Sequence, residues 1–539
     1  MKNKPPYKIN QSIPFSEKLG YALGDGAANI AWRGVATFLF VFYTDVFGLS
    51  PATVGVLFLT ARFSDGISDV LMGIIGDNTK SKHGKFRSWI LWTAIPLGVI
   101  LALLFTTPDF SSTGKIIYAY ITYFVFTLIY TANNIPYGAL MGVMTGDDKE
   151  RTKIGSFRMT GAFAGGMLVQ VTLLFLVAYL GNPQPTVNIS KTGDTTHQVQ
   201  VTATQDVAHV DITTSNGIAT ISMANQPSDG QAKRQNFSMT KGETYLFEVE
   251  GRTELKQSDL SIIDQKEGYS KSMYLMSLLL SVLMLITFFT TKERVQPPEN
   301  QNRNLKADFK QLVTNKAWII LLVIGLLFNI YNAIKQGMVI IYFTHYIGDA
   351  ILSASYLFGL GLASIAGALI TAPLSRLMGK RDLFIAALLL SGVFNALIFL
   401  CDPSQIYAIF TLGIISEFGS AILPTLFFVM LGDVADFSEW KYGRRATGLI
   451  YSAGSFAMKF GGGIAGAVIG FVLGAYHYEG NNAEAIQGAL PAVKMLMSYI
   501  PSIVTVIAAV LMLLYPLTTE KMSIITHDLQ SRRLNTESK

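Results

Sequence analysis

The chain has 539 residues, of which 50% are hydrophobic and 14% are charged. Soluble domains carry roughly 25% charged residues, so this composition excludes a disordered, collagen-like or disulfide-stapled chain and argues against a water-soluble enzyme. The single cysteine, Cys401, forms neither an intramolecular disulfide nor a thiolate metal site on its own. The net charge of +6 is small, and its distribution along the chain is more informative than its sum.

Long, nearly uncharged stretches recur from residue 19 to residue 515. Each is long enough to cross a hydrocarbon core, which needs about 20 helical residues. The first stretch follows a polar arm, is too long for a signal-peptide core and lacks a cleavage site, so we expect it to be a true span. The pattern predicts twelve membrane-spanning helices: 19–47, 52–76, 87–106, 115–142, 157–180, 270–290, 317–345, 352–375, 382–400, 404–431, 446–475 and 490–515.

Lys and Arg cluster in alternate connections between these stretches, and both chain ends are basic as well. Apart from one long insert, the other connections offer only Lys115 and Lys494. Cytoplasmic loops retain basic residues, so we predict that both termini face the cytoplasm. The basic connections are 80–87, 149–158, 292–316, 376–381 and 441–445.

A polar, charged stretch at 292–316 separates six predicted helices from six others, which predicts two bundles joined by a cytoplasmic linker. The predicted divisions are an N-terminal bundle with helices one to five at 1–181, an insert at 182–269, the sixth helix at 270–291, the linker at 292–316, a C-terminal bundle at 317–516 and a cytoplasmic tail at 517–539.

The insert breaks the helical pattern. Alternating residues, as in 195–204 and 244–249, bounded by glycine-containing turns, predict a small β domain. It carries seven Lys and Arg against eleven Asp and Glu between Asn182 and Gly268, and the span count places it on the extracytoplasmic face. Two interpretations remain open: a solvated decoration without a ligand, or a module that recognises an extracytoplasmic protein partner.

Ionisable residues inside spans are expensive and therefore mark functional sites. In the second span, Arg62, Asp65 and Asp69 share one helical face because they are three, four and seven residues apart. Two neighbouring carboxylates in a low dielectric favour a bound cation, a shared proton or a salt bridge. Ser68 and Thr131 offer neutral oxygens for Na⁺. The alternative is a structural salt-bridge network.

Other polar residues lie within the predicted spans. Asp25 and Asn29 occur in the first span, with Arg33 one turn later, and Asn134 occurs in the fourth. Amides donate and accept hydrogen bonds, which suits a hydroxyl-rich ligand, although an interhelical hydrogen bond is the alternative.

Basic residues also occur within the later spans. Lys335 and Lys459 are too central to reach the membrane surface easily, so we expect them to meet the Asp pair or a ligand.

One apparent motif has another explanation. Gly461, Gly463 and Gly466 match the GxGxxG dinucleotide fingerprint, but they lie inside an apolar span and follow no strand, so they indicate close helix packing. The sequence also lacks a nucleophile–base pair, zinc-ligand spacing and a Walker loop. We therefore expect that the protein is not an enzyme.

Several longer motifs occur together. They are 17–21 followed by Gly24, Asp25 and Asn29; 42–49; 65–69; 134–140; 342–344; and 433–441. In this combination the sequence resembles the glycoside–pentoside–hexuronide:cation symporters, the melibiose permease-like branch of the major facilitator superfamily. The resemblance covers essentially every span, whereas the insert has no counterpart in the family pattern.

The resemblance implies an all-α polytopic major facilitator fold, with two six-helix bundles around a central cavity. It implies alternating access in a bacterial inner membrane and symport of a sugar with Na⁺, H⁺ or Li⁺, without a cofactor. It assigns Asp65 and Asp69 to the cation, as metal ligands where Na⁺ is used, with Thr131 nearby. It assigns Arg158 to sugar contact and Lys459 to the linkage between the two sites. Arg62 lies on the same helical face as Asp65 and Asp69, so we expect it to form, together with Lys459, the network that couples the cation site to the sugar site.

Departures from the pattern of melibiose permease, which include Gly138 in place of an aromatic sugar contact, bear on the expected substrate and on the expected cation. Asn29 and Asn134 occupy the places of sugar-binding carboxylates in melibiose permease, which favours a xyloside or glucuronide over a melibiose-like galactoside. Ser68 replaces an asparagine, so Na⁺ and H⁺ both remain open. We expect Asp25 and Lys335 to contact substrate as well.

The expected partners are a small sugar or glycoside, a monovalent cation and membrane lipid, with no nucleic acid, and the expected state is a monomer. A receptor or scaffold that uses the insert for recognition, and a symporter of a non-sugar solute, are the alternatives.

Overall fold

A computed structural model describes residues 12–145, 148–214, 220–223, 234–251, 253–294, 313–442, 447–480 and 482–537. Most of the predicted linker at 292–316 lies outside these described residues, as does most of the N-terminal arm.

Helices account for most of the described chain. The first half forms α1 (Phe15–Gly34), α2 (Pro51–Asn78), α3 (Arg87–Leu104), α4 (Ser112–Met144), α5 (Asp148–Leu180) and α6 (Gln265–Thr290). The second half forms α7 (Lys316–Ile341), α8 (Leu352–Met378), α9 (Lys380–Leu397), α10 (Ile406–Tyr442), α11 (Thr447–Ala475), α12 (Ala483–Met497), α13 (Tyr499–Leu513) and α14 (Thr519–Glu537).

Short polar side chains begin several of these helices by accepting hydrogen bonds from otherwise unpaired backbone N–H groups. Ser50 accepts from Thr53 and is followed by Pro51, whose fixed φ suits the first helical position. The corresponding caps are Ser111 on α4, Asp264 on α6, Asn315 on α7 and Asn482 on α12.

Helices α1 and α7 end alike. Each continues into π-helical turns, at Phe42–Val46 and at Tyr342–Ile347. A glycine with positive φ then terminates each one, Gly48 at 82° and Gly348 at 89°. Glycine reaches this left-handed conformation without a Cβ penalty. The two halves of the chain therefore share a structural repeat.

Ten helical segments among the described residues have the length and hydropathy needed to cross a membrane. The long helices α1 and α2 are additional to these ten. Helix α2 is 28 residues long but carries the charged residues Arg62, Asp65 and Asp69. The chain is a multi-pass membrane protein, and the count of twelve spans stays a prediction.

The helices form two groups around a central interface. Within the first half, α1 packs on α5 and α6, and α3 packs on α4 and α6. Within the second half, α10 packs on α8 and α9, and α13 packs on α7 and α9. The groups meet where α2 packs on α11 and α5 packs on α8. We call the side with the α6–α7 connection the linker face and the opposite side the insert face.

Between α5 and α6 the described chain forms strands β1 (Thr186–Lys191), β2 (Thr196–Thr202), β3 (Val207–Thr214), β4 (Thr220–Met223), β5 (Arg234–Met239), β6 (Thr244–Glu250) and β7 (Leu260–Ile263). They make an antiparallel four-stranded sheet, β1-β2-β6-β4, and an antiparallel three-stranded sheet, β5-β3-β7. The sheets share a core that includes Val199, Ile212 and Phe247.

The insert begins and ends at one place. The backbone N–H of Asp264 donates to the carbonyl of Gly181 at 2.7 Å, which joins the end of the insert to the end of α5. A segment whose ends meet replaces a short loop without displacing the flanking helices.

Several predicted spans differ from the observed helices. The fifth, predicted as 157–180, starts earlier because α5 begins at Asp148. The last span, predicted as 490–515, consists of two helices: α12 begins earlier, at Ala483, and the helix is interrupted at Ser498 before α13. The buried amide of Asn395 donates to the carbonyls of Met497 and Ser498, at 3.2 and 2.9 Å, and so satisfies backbone groups that the break leaves free.

The predicted span 404–431 differs at its end, because α10 continues to Tyr442. The predicted tail also contains α14, which packs on α10 through a hydrogen bond from Trp440 to Asp528.

Candidate functional site

A cavity of about 380 Å³ lies between the two helix groups. Its wall includes residues from α1, α4 and α5 on one side and from α7, α8 and α10 on the other. All five residues predicted to contact substrate line it: Asp25, Asn29, Asn134, Arg158 and Lys335. A cavity shared by both groups changes shape when the groups move relative to each other.

An ion pair crosses the N-terminal side of the cavity. Arg158 Nε donates to Asp25 Oδ2 at 2.8 Å, which joins α5 to α1. The guanidinium also lies 5.5 Å from the ring of Tyr137. The Asp25 side chain is 7% exposed and that of Arg158 is 23% exposed, so Arg158 retains surface that a ligand can contact.

Glycines bring these two helices close enough for that pair. A Cβ on Gly161 would overlap the carbonyl oxygen of Ala22, and one on Gly165 would overlap that of Gly26. Backbone contact therefore sets the separation of α1 and α5.

A second ion pair occupies the C-terminal side. Lys335 Nζ lies 3.4 Å from Glu417 Oε2 and also donates to the hydroxyls of Tyr331 and Ser416, at 3.1 and 3.2 Å. Ser364 donates to the other oxygen of Glu417 at 2.8 Å. Lys335 thus meets Glu417, a residue that we did not single out from the sequence. The signal was present, because Glu417 is an acid within an otherwise apolar span.

The predicted amides remain available for a ligand. Asn29 donates to the backbone carbonyl of Asp25, four residues earlier, at 2.9 Å. Asn134 makes no hydrogen bond with a described residue. Neither amide bridges two helices within the described chain.

The predicted cation residues lie on α2, which packs on α11, and on the neighbouring helix α4. Arg62 donates to Asp65 Oδ2 at 2.6 Å and to the hydroxyl of Tyr123 at 2.8 Å. Asp65 Oδ1 is buried and has no partner among the described residues. A buried, unpaired carboxylate oxygen is costly unless a proton, an ion or a water reaches it.

Asp69 connects the two helix groups. Thr131 donates to Asp69 Oδ1 at 3.0 Å, and Lys459 of α11 pairs with Asp69 Oδ2. Ser68 instead donates to the carbonyl of Asp65 in its own helix, at 3.2 Å. The structure thus brings Asp69, Thr131 and Lys459 together, whereas the hydroxyl of Ser68 is turned to the backbone.

A chain of contacts links this cluster to the cavity. The Arg62 guanidinium lies 5.0 Å from the ring of Trp32. Trp32 stacks on Tyr130 with ring centroids 5.5 Å apart, and Tyr130 lines the cavity. Asp65 is therefore connected to the cavity wall by a continuous series of contacting side chains.

The GxGxxG glycines serve the same interface. Substituents at Gly463 and Gly466 would collide with Arg62 and Phe58 of α2, and one at Gly461 would collide with α7. Close helix packing is confirmed as their role.

The two groups are also joined at the insert face. His345 Nε2 lies 2.7 Å from Asp45 Oδ2, and Tyr478 donates to both carboxylate oxygens at 2.9 and 3.0 Å. Asp45, His345 and Tyr478 follow the ends of α1, α7 and α11. This buried cluster therefore holds the two groups in contact at the insert face. His345 is the last residue of the predicted span 317–345, and we assigned it no role from the sequence.

No group of three or more His, Cys, Asp and Glu residues in the described part of the chain is arranged to hold a metal ion.

A protein-family model described as MFS/sugar transport protein matches residues 20–208 and 214–519. The chain is 31% identical to the putative glycoside/cation symporter YagG of Escherichia coli, over 97% of this chain and 96% of that protein. It is 30% identical to the isoprimeverose transporter of Lactiplantibacillus pentosus, over 93% and 89%.

Solved structures resemble the fold. A bacterial homologue of the lysosomal transporter Spinster, inward-facing and unoccupied, superposes with a TM-score of 0.62 at 12% identity, covering 94% of this chain and 98% of that one. The D-xylose-proton symporter superposes with a TM-score of 0.58 at 11% identity, covering 92% and 97%. At such identities the likeness concerns the fold alone.

Proposed function

This chain belongs to the MFS/sugar transport protein family, and on that premise we propose that it is a cation-coupled symporter of a sugar or glycoside that works by alternating access. The family resemblance drawn from the sequence motifs is confirmed, as is the major facilitator fold. The chain is a transporter and not an enzyme. The substrate that we propose is xyloside-like or glucuronide-like and not a galactoside, and the relative named as an isoprimeverose transporter supports the xyloside.

The observation that carries the proposal is the cavity between the two helix groups. Its wall combines charged groups with amides such as Asn134 that have no partner among the described residues. Hydroxyl-rich ligands need this mixture of donors and acceptors. The aromatic ring of Tyr130 adds an apolar surface against which a sugar ring packs.

Coupling follows from the position of Asp69. Its carboxylate pairs with Lys459 across the interface, so a proton or Na⁺ that neutralises the carboxylate weakens a contact between the two groups. Cation binding therefore shifts the equilibrium between inward-facing and outward-facing states by its different affinity for each. By linkage, the sugar raises cation affinity by the same factor that the cation raises sugar affinity.

Asp65 completes the proposed cation site because it offers a buried oxygen without a partner among the described residues. The contacts from Arg62 through Trp32 to Tyr130 supply a physical route from this site to the sugar. The coupling ion is H⁺ or Na⁺, and transport by this route uses no cofactor.

We further propose that the protein lies in a bacterial inner membrane as a monomer surrounded by lipid, with both termini in the cytoplasm. The linker face is then cytoplasmic and the insert faces outward, where it is accessible to an extracytoplasmic protein partner. The basic residues at 80–87 and 376–381 support this orientation.

The test is transport by purified protein in liposomes. Xylosides, glucuronides, galactosides and glucosides are screened for counterflow, and active solutes are then tested with an imposed pH or Na⁺ gradient. We expect at least one glycoside to accumulate with one gradient and to drive the matching ion inward. If every glycoside leaves both ion gradients unchanged, the proposal is wrong.

A further inference from the structure

The two ion pairs of the cavity wall expose opposite members. In the pair between Asp25 and Arg158, the guanidinium is the more exposed side chain. In the pair between Lys335 and Glu417, the carboxylate is the more exposed one, at 17% against 3% for the lysine. The cavity therefore meets a hydrogen-bond donor on the wall of the first helix group and an acceptor on the wall of the second.

The donors of Lys335 are occupied within the protein. Its ammonium group has three N–H bonds. Three acceptors surround it: the hydroxyls of Tyr331 and Ser416, at 3.1 and 3.2 Å, and Glu417 Oε2 at 3.4 Å. Lys335 lines the cavity, but its hydrogen-bonding capacity is used by these neighbours.

The carboxylate of Glu417 keeps acceptor positions free. Each of its oxygens has one donor among the described residues: Ser364 on Oε1 at 2.8 Å and Lys335 on Oε2 at 3.4 Å. A carboxylate oxygen accepts two hydrogen bonds, so one position on each oxygen is left. The donors on α7 and α8 fix the carboxylate of α10 where it lines the cavity.

The charge of Glu417 determines which ligand groups it favours. Lys335 and Glu417 balance each other, and a buried cation without a counter-charge is costly. An ionised carboxylate accepts hydrogen bonds and donates none, so it favours O–H donors. Two neighbouring hydroxyls of a pyranose ring supply two adjacent O–H donors, which matches one free position on each oxygen of Glu417.

We propose that Glu417 is a sugar-binding residue that accepts hydrogen bonds from two neighbouring hydroxyls of the substrate, and that Lys335 positions it. This inference rests on the proposed function and adds to it a specificity-determining residue on the second helix group. A xyloside has three ring hydroxyls in a row. The middle one, on C3, belongs to both possible neighbouring pairs, so it is one of the two that Glu417 binds.

The experiment uses methyl β-D-xylopyranoside and its 2-deoxy, 3-deoxy and 4-deoxy analogues. The three hydroxyls of this probe have the same configuration as those of β-glucosides and β-glucuronides, so it represents each of these classes. Affinities are measured by calorimetry on the purified full-length protein, for the wild type and Glu417→Gln. Glu484→Gln, which removes the charge of an exposed acid at the start of α12, is the control variant.

We expect the wild type to bind the 3-deoxy analogue, and one of the other two, at least about tenfold more weakly than the parent glycoside, because hydrogen bonds to charged groups are the strong ones. In Glu417→Gln the 3-deoxy penalty falls to about threefold or less, since a neutral amide makes the weaker hydrogen bond. The third analogue lacks a hydroxyl that Glu417 does not contact, so its penalty is the same in both proteins. Glu484→Gln matches the wild type.

The same assay tests the positioning role of Lys335. Lys335→Met weakens binding of the parent glycoside when Glu417 is present, but changes it by less than about twofold when added to Glu417→Gln, because the lysine acts through the carboxylate. The double variant leaves neither charge of the pair uncompensated, so it reports the 3-deoxy penalty even if a single variant fails to fold.

Two results overturn the assignment of Glu417: a wild-type 3-deoxy penalty below about twofold, or a 3-deoxy penalty that is unchanged in both Glu417→Gln and the double variant. An equal effect of Lys335→Met with and without Glu417 overturns the positioning role. Failure of the proposed function is distinguishable, because the wild type then binds neither the parent glycoside nor any analogue, and the inference falls with it.

Discussion

His345 Nε2 lies 2.7 Å from Asp45 Oδ2, and the two residues hold equivalent positions in the two halves of the chain. Each occurs in the π-helical end of its helix, three residues before a glycine with positive φ, Gly48 or Gly348. The repeat therefore brings together one carboxylate and one imidazole where the two helix groups meet at the insert face. Both side chains are 3% exposed, so their contact forms only while this face is closed.

Asp45→Asn is expected to open the insert face. The asparagine keeps the size of the side chain but removes the charge that His345 and Tyr478 contact. Hydrogen bonds to charged groups contribute roughly 1.5–3 kcal/mol, so the ratio of open to closed molecules rises about tenfold or more. Spin labels at the exposed positions Thr113 and Ser404, on opposite groups, report the distance in a Cys401→Ser background.

The matched control is Asp109→Asn, which removes a charge from an exposed loop on the same face. It should leave the distance distribution of the labelled parent unchanged. An unchanged distribution in Asp45→Asn as well would mean that the cluster does not hold the face closed.

Asp69→Asn is expected to abolish accumulation while leaving sugar exchange. The amide cannot take up a proton and binds Na⁺ weakly, so the cation no longer drives the conformational change. The sugar-facing residues of the cavity are untouched, which preserves exchange between internal and external sugar. Uptake against a gradient and counterflow are measured in the same liposomes.

Asp382→Asn is the control for charge removal, because Asp382 forms an exposed pair with Arg381 outside the cluster. It should accumulate sugar like the wild type. Wild-type accumulation by Asp69→Asn would remove Asp69 from the coupling mechanism.

The sequence predicted the helical class and the cavity residues because both follow local rules. Apolar stretches of about 20 residues mark spans, and charges within them mark sites. Asp25, Asn29 and Arg158 are close in space because α1 and α5 pack on each other, which the sequence indicated only through the family resemblance.

Other features depended on tertiary contacts. The break at Ser498 is stable because Asn395 of another helix satisfies the freed carbonyls, and no local pattern announces it. Asp45 and His345 occupy equivalent positions in the two halves of the chain, 300 residues apart. Because the two side chains differ, the sequence did not indicate that they would pair. The full length of α10 was missed because its last turns are polar, although they remain helical.

Gly165→Ala is expected to destabilise the protein and to weaken substrate binding together. The added Cβ would overlap the carbonyl oxygen of Gly26, which forces α5 away from α1 and disturbs the pair between Asp25 and Arg158. Overpacking of this kind costs about 1–3 kcal/mol. Thermal unfolding in detergent and ligand affinity are measured on the same preparation.

Gly155→Ala is the matched control on the same helix. A Cβ there meets nothing within 4 Å, and alanine is favoured over glycine in a helix by about 1 kcal/mol. Its melting temperature should therefore equal or exceed that of the wild type. If both variants behave alike, the spacing of α1 and α5 is not set by these backbone contacts.

Removal of residues 184–262, bridged by a short Gly-Ser loop, is expected to preserve transport. The hydrogen bond from Asp264 to Gly181 holds the ends of the insert together, and its hydrophobic core is separate from the helical cores. Asp264 must be retained because its side chain accepts from the N–H of Glu267 and begins α6.

A second variant, Asp264→Ala in the full chain, isolates the effect of the cap, worth about 1 kcal/mol. We expect initial uptake rates within about twofold of the wild type per correctly inserted molecule. Loss of uptake in the deletion variant, with normal insertion and normal uptake in Asp264→Ala, would mean that the insert itself takes part in transport.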